Sequence, residues 1–381
     1  MQFGMCGSTG KYNPYKAVES INRQRILLLI NSTPLEVKRI AEKLDLSREV
    51  KESLTMLKKC GLVKEINGRY SPSFAIFTLQ DQRILGSLLK ELTFGVKEIL
   101  EKRLSEVIRL INDLECTRRG LNFPDLQYII VGAITLDYRA LEVLKDEELL
   151  LPWKEMPGNG NYIFSGLELG LIDLKESWMW GNNSIYGKYW FSTHGKMPSK
   201  GRMAFPDLTW QWSEHIERNK IKRKMEKIGE ILEALLRGDL SVKDLNVMVR
   251  KGEEELLTEL TLLWALEYVI PAEKKWKINR PFFASNDLEK IRTLSESILR
   301  EVSEFFEGKQ PRILELYGQT SPSKNGIPFE EAFNLLYHLI FEETLNVLIE
   351  NEIINGPPLR KDGGRYSPFI GVGIENPLTL T

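Results

Sequence analysis

The chain has 381 residues, 42% of them hydrophobic, with 52 Lys and Arg against 53 Asp and Glu for a formal net charge of −1. That length predicts two to three domains with true cores, and no apolar run nears the ~18 residues of a membrane span. Three isolated cysteines (Cys6, Cys60, Cys116) and three histidines exclude a disulfide framework and argue against a Cys- or His-rich metal centre. No metal, cofactor or membrane partner is therefore expected. The N-terminus lacks the apolar segment of a signal peptide, and with this cysteine usage it fits a reducing cytoplasm.

The near-zero net charge hides a segregation. Residues 1–80 carry 13 basic against 7 acidic side chains, so the remaining residues carry 39 against 46. A basic N-terminal module on an acidic body is the electrostatic footprint of a module that meets a polyanion.

Taken in chain order, residues 17–31 predict a helix that ends before Pro34, and 35–44 a second, amphipathic one. Ser47 is a candidate N-cap for a third helix, with Val50, Leu54 and Leu57 on one face. Gly61 stops that helix, and two apolar runs around Asn67-Gly68 read as a β-hairpin. Three short helices and a hairpin resemble the winged helix of archaeal and bacterial regulators of the ArsR/TrmB type. The resemblance covers residues 17–78 and implies DNA contact through the third helix and the hairpin. Residues 1–79 are thus expected to be a basic, DNA-binding unit.

Residues 80–118 come next as a long helix. Leu85, Leu89, Leu92 and Val96, then Leu100, Leu104, Val107, Ile111 and Leu114, form a heptad seam with one stutter. A helix over 80–115 spans roughly 54 Å, which suits a coiled-coil or pseudo-dimer helix. Leu85, Leu92, Leu104 and Ile111 are expected to be buried against a second long helix at 286–307, or against its equivalent in a partner chain.

The remainder reads as repeats of the first unit. A slide of 206 lays Val50, Leu54, Leu57, Leu62 and Val63 on Leu256, Leu260, Leu263, Tyr268 and Val269. Slides of 87 and 291 give weaker matches, and GRYSP at 68–72 recurs at 364–368. The expected fold is mainly α with small β wings (α+β): tandem winged-helix-like units linked by long helices. Residues 119–215 would hold a degenerate unit plus an aromatic β-rich insertion, 216–308 an acidic unit with its long helix, and 309–381 a last degenerate unit. The insertion, 152–215, contains six of the eight tryptophans: Trp153, Trp178, Trp180, Trp190, Trp210 and Trp212.

Phosphate contact needs Lys or Arg, so charge discriminates between the copies. The window 47–59 has a net charge of +2, whereas 134–146, 253–265 and 338–350 have −1, −4 and −3. The candidate DNA contacts are Ser47, Arg48, Lys51, Thr55, Lys58 and Lys59 on the third helix, with Lys64 and Arg69 on the hairpin. Under the 206 slide Lys51 and Lys58 become Leu257 and Trp264, an apolar pair on one helical face, expected to be covered by another unit, a second chain or a protein partner.

No catalytic constellation emerges. GMCGSTGKY fails the phosphate-loop pattern, and His194, His215 and His338 have no neighbouring ligand or triad motif. The two FPDL segments, with Asp125 and Asp207, read as turns. Three functions are expected, in this order: a DNA-binding transcriptional regulator whose other units serve oligomerisation, ligand or protein contacts; a winged-helix interaction scaffold; and an RNA-binding factor or enzyme using the aromatic insertion.

Overall fold

The computed structural model describes residues 1–46, 49–170, 179–196, 218–361 and 363–372. Its first strand, β1 (Gln2–Ser8), leads into α1 (Pro14–Val18), which opens with the proline at its first position and the Asn13 side chain accepting from Tyr15 N. Next come α2 (Ile21–Ser32), β2 (Leu35–Glu36), α3 (Val37–Leu44) and α4 (Glu49–Lys59). Their apolar stripes, Ile26, Leu27 and Ile30, then Ile40, then Val50, Leu54 and Leu57, are buried against one another. Gly61, at φ 71°, ends α4 by letting Leu62 N reach back to Leu57 O. Strands β3 (Val63–Ile66) and β4 (Arg69–Pro72) pair across Asn67 and Gly68, both at positive φ, and β2 adds to β4 as the third strand.

The chain then passes through β5 (Ala75–Phe77) into α5 (Leu79–Asp113), α6 (Glu115–Arg118) and α7 (Leu126–Tyr128). A π-helix, Ile129–Arg139, continues directly into α8 (Ala140–Asp146), followed by β6 (Glu155–Met156) and β7 (Gly160–Leu167). β7 takes β1 antiparallel on one side and β5 parallel on the other, with β6 also pairing to it. Beyond these lie β8 (Met179–Tyr186), β9 (Tyr189–Lys196), α9 (Arg218–Leu236), α10 (Val242–Val249) and α11 (Glu253–Ala265). A hairpin of β10 (Val269–Ala272) and β11 (Lys275–Ile278) precedes β12 (Phe282–Phe283) and α12 (Ser285–Tyr317). The last elements are α13 (Ser321–Lys324), α14 (Phe329–Glu350) and β13 (Arg365–Val372), and the second mixed sheet runs β12-β13-β9-β8.

The element order therefore repeats, and in register. Val63 pairs with Pro72 and Val269 with Ile278, every partner displaced by 206. Gly61 N→Lys58 O recurs as Glu267 N→Trp264 O, and Ser73 N→Leu62 O as Asn279 N→Tyr268 O. The contacts between the halves are reciprocal as well. Asp81 accepts from Thr78 N at the start of α5 and from Ser321 N of the other half, both at 2.8 Å. Asp287 accepts from Ala284 N at 3.4 Å, at the start of α12, and from Glu115 N at 3.1 Å. Arg103 reaches Ser297 and Glu301, while Lys309 reaches Glu91. Residues i and j in one half thus meet j and i in the other, the pattern of a two-fold interface within one chain. Because each helix start lies beside the segment just past the end of the other helix, α5 and α12 run antiparallel. They approach so closely at Gly95 that a Cβ there would overlap the Phe305 ring.

Several expectations change. Leu85 and Leu92 are buried, but Leu104 and Ile111 are half-buried and pack at the margin of the main core. The second long helix extends to Tyr317, past Pro311, rather than ending near 308. Residues 1–79 do not close on themselves, because β1 and β5 both need β7 from beyond the long helix. In 119–170 one continuous helical run, α7 through α8, leads to the β6–β7 pair, and among the described residues of 309–372 helices lead to β13, so neither segment repeats the three short helices expected of a further unit. The GRYSP recurrence is a coincidence of strands: β4 pairs with β2 and β3, whereas β13 pairs with β9 and β12.

The two shared caps generate a stability prediction. Asp81→Ala orphans donors in both halves and should cost about 2–3 kcal/mol in urea unfolding, with Asp287→Ala similar. Losses under about 0.5 kcal/mol for both variants would show that these carboxylates do not hold the halves together.

Candidate nucleic-acid interface

Amphipathicity decides which side chains α4 offers to solvent. With Val50, Leu54 and Leu57 inward, the opposite face presents Lys51, Thr55, Lys58 and Lys59, all exposed. The Thr55 hydroxyl donates to Lys51 O at 2.8 Å, one turn back. Glu49 and Glu52 share the exposed side of the first turn, where acidic groups complement the helix dipole, and Glu49 accepts from Asn22 Nδ2 at 2.8 Å. The described part of the helix therefore carries three cations against two anions. Ser47 and Arg48 lie outside the described residues.

The helix and the hairpin are tied together by charge. Lys58 Nζ lies 2.8 Å from Glu65 Oε2 on β3. The hydrogen bond from Lys58, with a second from Tyr70, holds the Glu65 carboxyl below the usual carboxylate range, and the same bond raises Lys58. The pair is exposed, so a phosphate can compete for Lys58 at little expense. Lys59 lies 5.0 Å from the Tyr12 ring centroid, so its ammonium sits over an aromatic face contributed by the segment after β1.

The two hairpin residues differ in kind. Arg69 is exposed at the tip, beside Asn67 and Gly68. Lys64 turns inward and donates to Asn325 O at 2.7 Å, in the loop between α13 and α14. Asn325 Nδ2 in turn donates to Asn31 O at 2.8 Å and to Asn31 Oδ1 at 3.0 Å, while Asn31 Nδ2 donates to Ile76 O at 3.0 Å. Lys64 is therefore removed from the expected phosphate contacts: it seats the N-terminal unit on the second half. Nothing local in the sequence marks Asn31, Asn325 or Tyr12, because each partner is distant along the chain.

The same backbone in the second half carries different chemistry. α11 exposes Glu253, Glu254 and Glu255, while Glu259 is buried and 2.5 Å from Lys251 Nζ. Leu257 and Trp264, in the places of Lys51 and Lys58, are 45% and 52% exposed, so the cover expected for them is not supplied by the described residues of this chain. The repeat of Thr55 is Thr261, also exposed, and Ala265 replaces Lys59. Of the aromatic insertion, Trp178, Trp210 and Trp212 lie outside the described residues, as does His215. Trp190 is a core residue of β9, edge-on to Phe369 and bonded to Asn183 Oδ1 at 2.9 Å.

No protein-family model matches the chain, and neither a curated protein nor a solved structure matches it. Among the described residues no helix is long and apolar enough to cross a membrane.

The contrast between the hairpin residues is measurable without any ligand. Lys64→Met leaves the Asn325 carbonyl and its loop without the tether and should cost about 1–2 kcal/mol of stability. Arg69→Met, at the exposed tip, should cost less than about 0.5 kcal/mol. Equal losses in urea titrations would refute the assignment of Lys64 to the seam.

Proposed function

We propose that this chain is a cytoplasmic, DNA-binding transcriptional regulator that contacts duplex DNA through its first unit, a winged helix. The observation that carries the reading is the order of helix, strand, two helices and hairpin, with α4 presenting Lys51, Thr55, Lys58 and Lys59 outward. In a winged helix the element in the place of α4 enters the major groove, and the hairpin lies along the backbone. Exposed Arg69 is suitably placed for that second contact. The second unit, with Leu257 and Trp264 at the matching positions, presents no cation there. Its role is in contacts with protein, not DNA.

The test is a salt titration of binding to random-sequence duplex, read by fluorescence anisotropy. Four phosphate contacts, by Lys51, Lys58, Lys59 and Arg69, give a slope of log K against log salt of roughly −3 to −4. Lys51→Glu combined with Lys59→Glu should weaken binding to every sequence and flatten the slope by about two. Unchanged affinity in the double variant would overturn the assignment.

The exposed apolar pair favours a second reading, an interaction scaffold built from the same units. Under it the chain shows no salt-dependent DNA affinity, and Leu257→Ser with Trp264→Ser abolishes self-association in sedimentation velocity.

A further inference from the structure

The two mixed sheets place β1 and β9 in equivalent positions, each antiparallel to the strand at the centre of its half. Cys6 pairs with Ile163 and His194 with Ser367, and each is followed by a glycine at positive φ, Gly7 and Gly195. Both residues line a cavity of about 310 Å³ whose wall is completed by the π-helix and α14. That volume is at the lower end of the range of small-molecule sites. The cavity is separate from the α4 face, and a ligand there is independent of DNA binding.

Its polar lining centres on a buried carboxylate. Asp137, on the π-helix, is only 8% exposed. Its Oδ2 lies 3.2 Å from His194 Nε2 and its Oδ1 4.0 Å from His338 Nε2. His194 is fully buried; its Nδ1 is held by the Tyr128 hydroxyl at 2.6 Å, while its Nε2 has no hydrogen-bond partner among the described residues. A second carboxylate, Glu342, shares the lining, and among the described residues neither Lys nor Arg does. A buried carboxylate that borders a cavity is costly unless its charge is met, so an occupant bringing N–H groups and positive charge is favoured over any anion.

Three further features narrow the occupant. Burial and the Asp137 charge push the Cys6 thiol up to about 12, so it lines the cavity as a neutral thiol. Among the described residues no group of three His, Cys, Asp or Glu side chains is arranged to hold a metal ion. Opposite Asp137, Gly181 keeps space open: a Cβ there would stand 2.8 Å from Asp137 Oδ2 and 3.0 Å from the Tyr138 hydroxyl. Tyr138 and Phe341 supply aromatic surface beside the carboxylates.

We infer that this cavity is a binding site for a small organic cation, an ammonium or amidinium whose N–H groups meet Asp137 and whose body lies against Tyr138 and Phe341. Cation–π contact and a charge-assisted hydrogen bond then act on the same ligand. The probes are benzamidine and tyramine as cations, with benzoate as the matched anion, titrated calorimetrically into the full chain. The cations should bind saturably and benzoate should not. Asp137→Asn and Gly181→Ala should each weaken the cations at least about tenfold. Met5 also lines the cavity, so on the unmodified chain its methyl resonance should move with benzamidine and stay with benzoate, a readout that does not require either variant to fold. Benzoate binding as tightly as the cations, an unmoved Met5 methyl, or wild-type affinity in both folded variants would overturn the inference.

Discussion

A carboxylate taken out of water must be fully engaged, and in this chain two such groups are engaged by both halves at once. Asp81 and Asp287 are almost entirely buried, and each caps the helix it begins while accepting a backbone N–H that begins a helix of the other half. Removing either half from the contact would leave a buried charge short of donors, at a cost of several kcal/mol. The start of α5 is thereby fixed to the end of α12, and the start of α12 to the end of α5. Burial pushes Asp287 above the ordinary carboxylate range, against the pull of the two backbone donors, which indicates how enclosed this contact is. Everything else, the close passage at Gly95, the Arg103 and Lys309 contacts and the cavity between the sheets, is arranged around two antiparallel helices held at both ends.

A two-fold interface between separate identical chains would impose the same side chains on both copies. Within one chain the copies are free to differ, and here the backbone is kept while the surface is not. The turn after the third helix of each unit needs a positive φ: Gly61 adopts it freely, whereas Glu267 holds φ 61° with its side chain tied to Arg280 at 2.7 Å. The repeated hydrogen bonds survive this change from glycine to glutamate. The exposed faces diverge instead, Lys51 and Lys58 against Leu257 and Trp264. One copy can then meet a polyanion while the other presents apolar surface, with no change to the fold that carries them.

This division explains what was legible in the sequence. Buried apolar spacing is set locally, so the short helices, the Asn67-Gly68 hairpin, the long helix and the 206-residue slide can all be read from residue types alone. The slide reads correctly because Leu54, Leu57 and Leu62 and their repeats fill the same core positions. Contacts between distant segments leave no such mark. The pairing of β1 with β7 makes the N-terminal unit dependent on residues 160–167, and Lys64 turns inward only because Asn325 is there to receive it. The recurrence of GRYSP misleads for the same reason: both segments are strands, but strand identity does not specify neighbours. Asp137, His194 and His338 each look unremarkable in sequence, an aspartate in an apolar run and two histidines on apolar elements, and only the fold brings them together.

The cavity shows where the two-fold relation breaks, and why. Gly120 and Gly326, both at positive φ, are 206 residues apart, but Glu148 and Glu352, again both at positive φ, are 204 apart. The first half therefore holds two extra residues between these landmarks, and it is there that the helix widens to the π form over Ile129–Arg139. A π-helix takes more residues per turn than an α-helix, so the surplus is absorbed without displacing α8. The wider turn is held from the other half: the Thr135 hydroxyl meets the Ser295 hydroxyl at 2.7 Å, and Tyr337 donates to Leu136 O at 2.6 Å. The counterpart α14 remains a regular helix and contributes His338 and Glu342. With Cys6 and His194 at equivalent strand positions, a strictly symmetric pair would form two identical half-sites. The two-residue surplus places Asp137 and Tyr138 on one side only, and the pair of half-sites becomes a single asymmetric site.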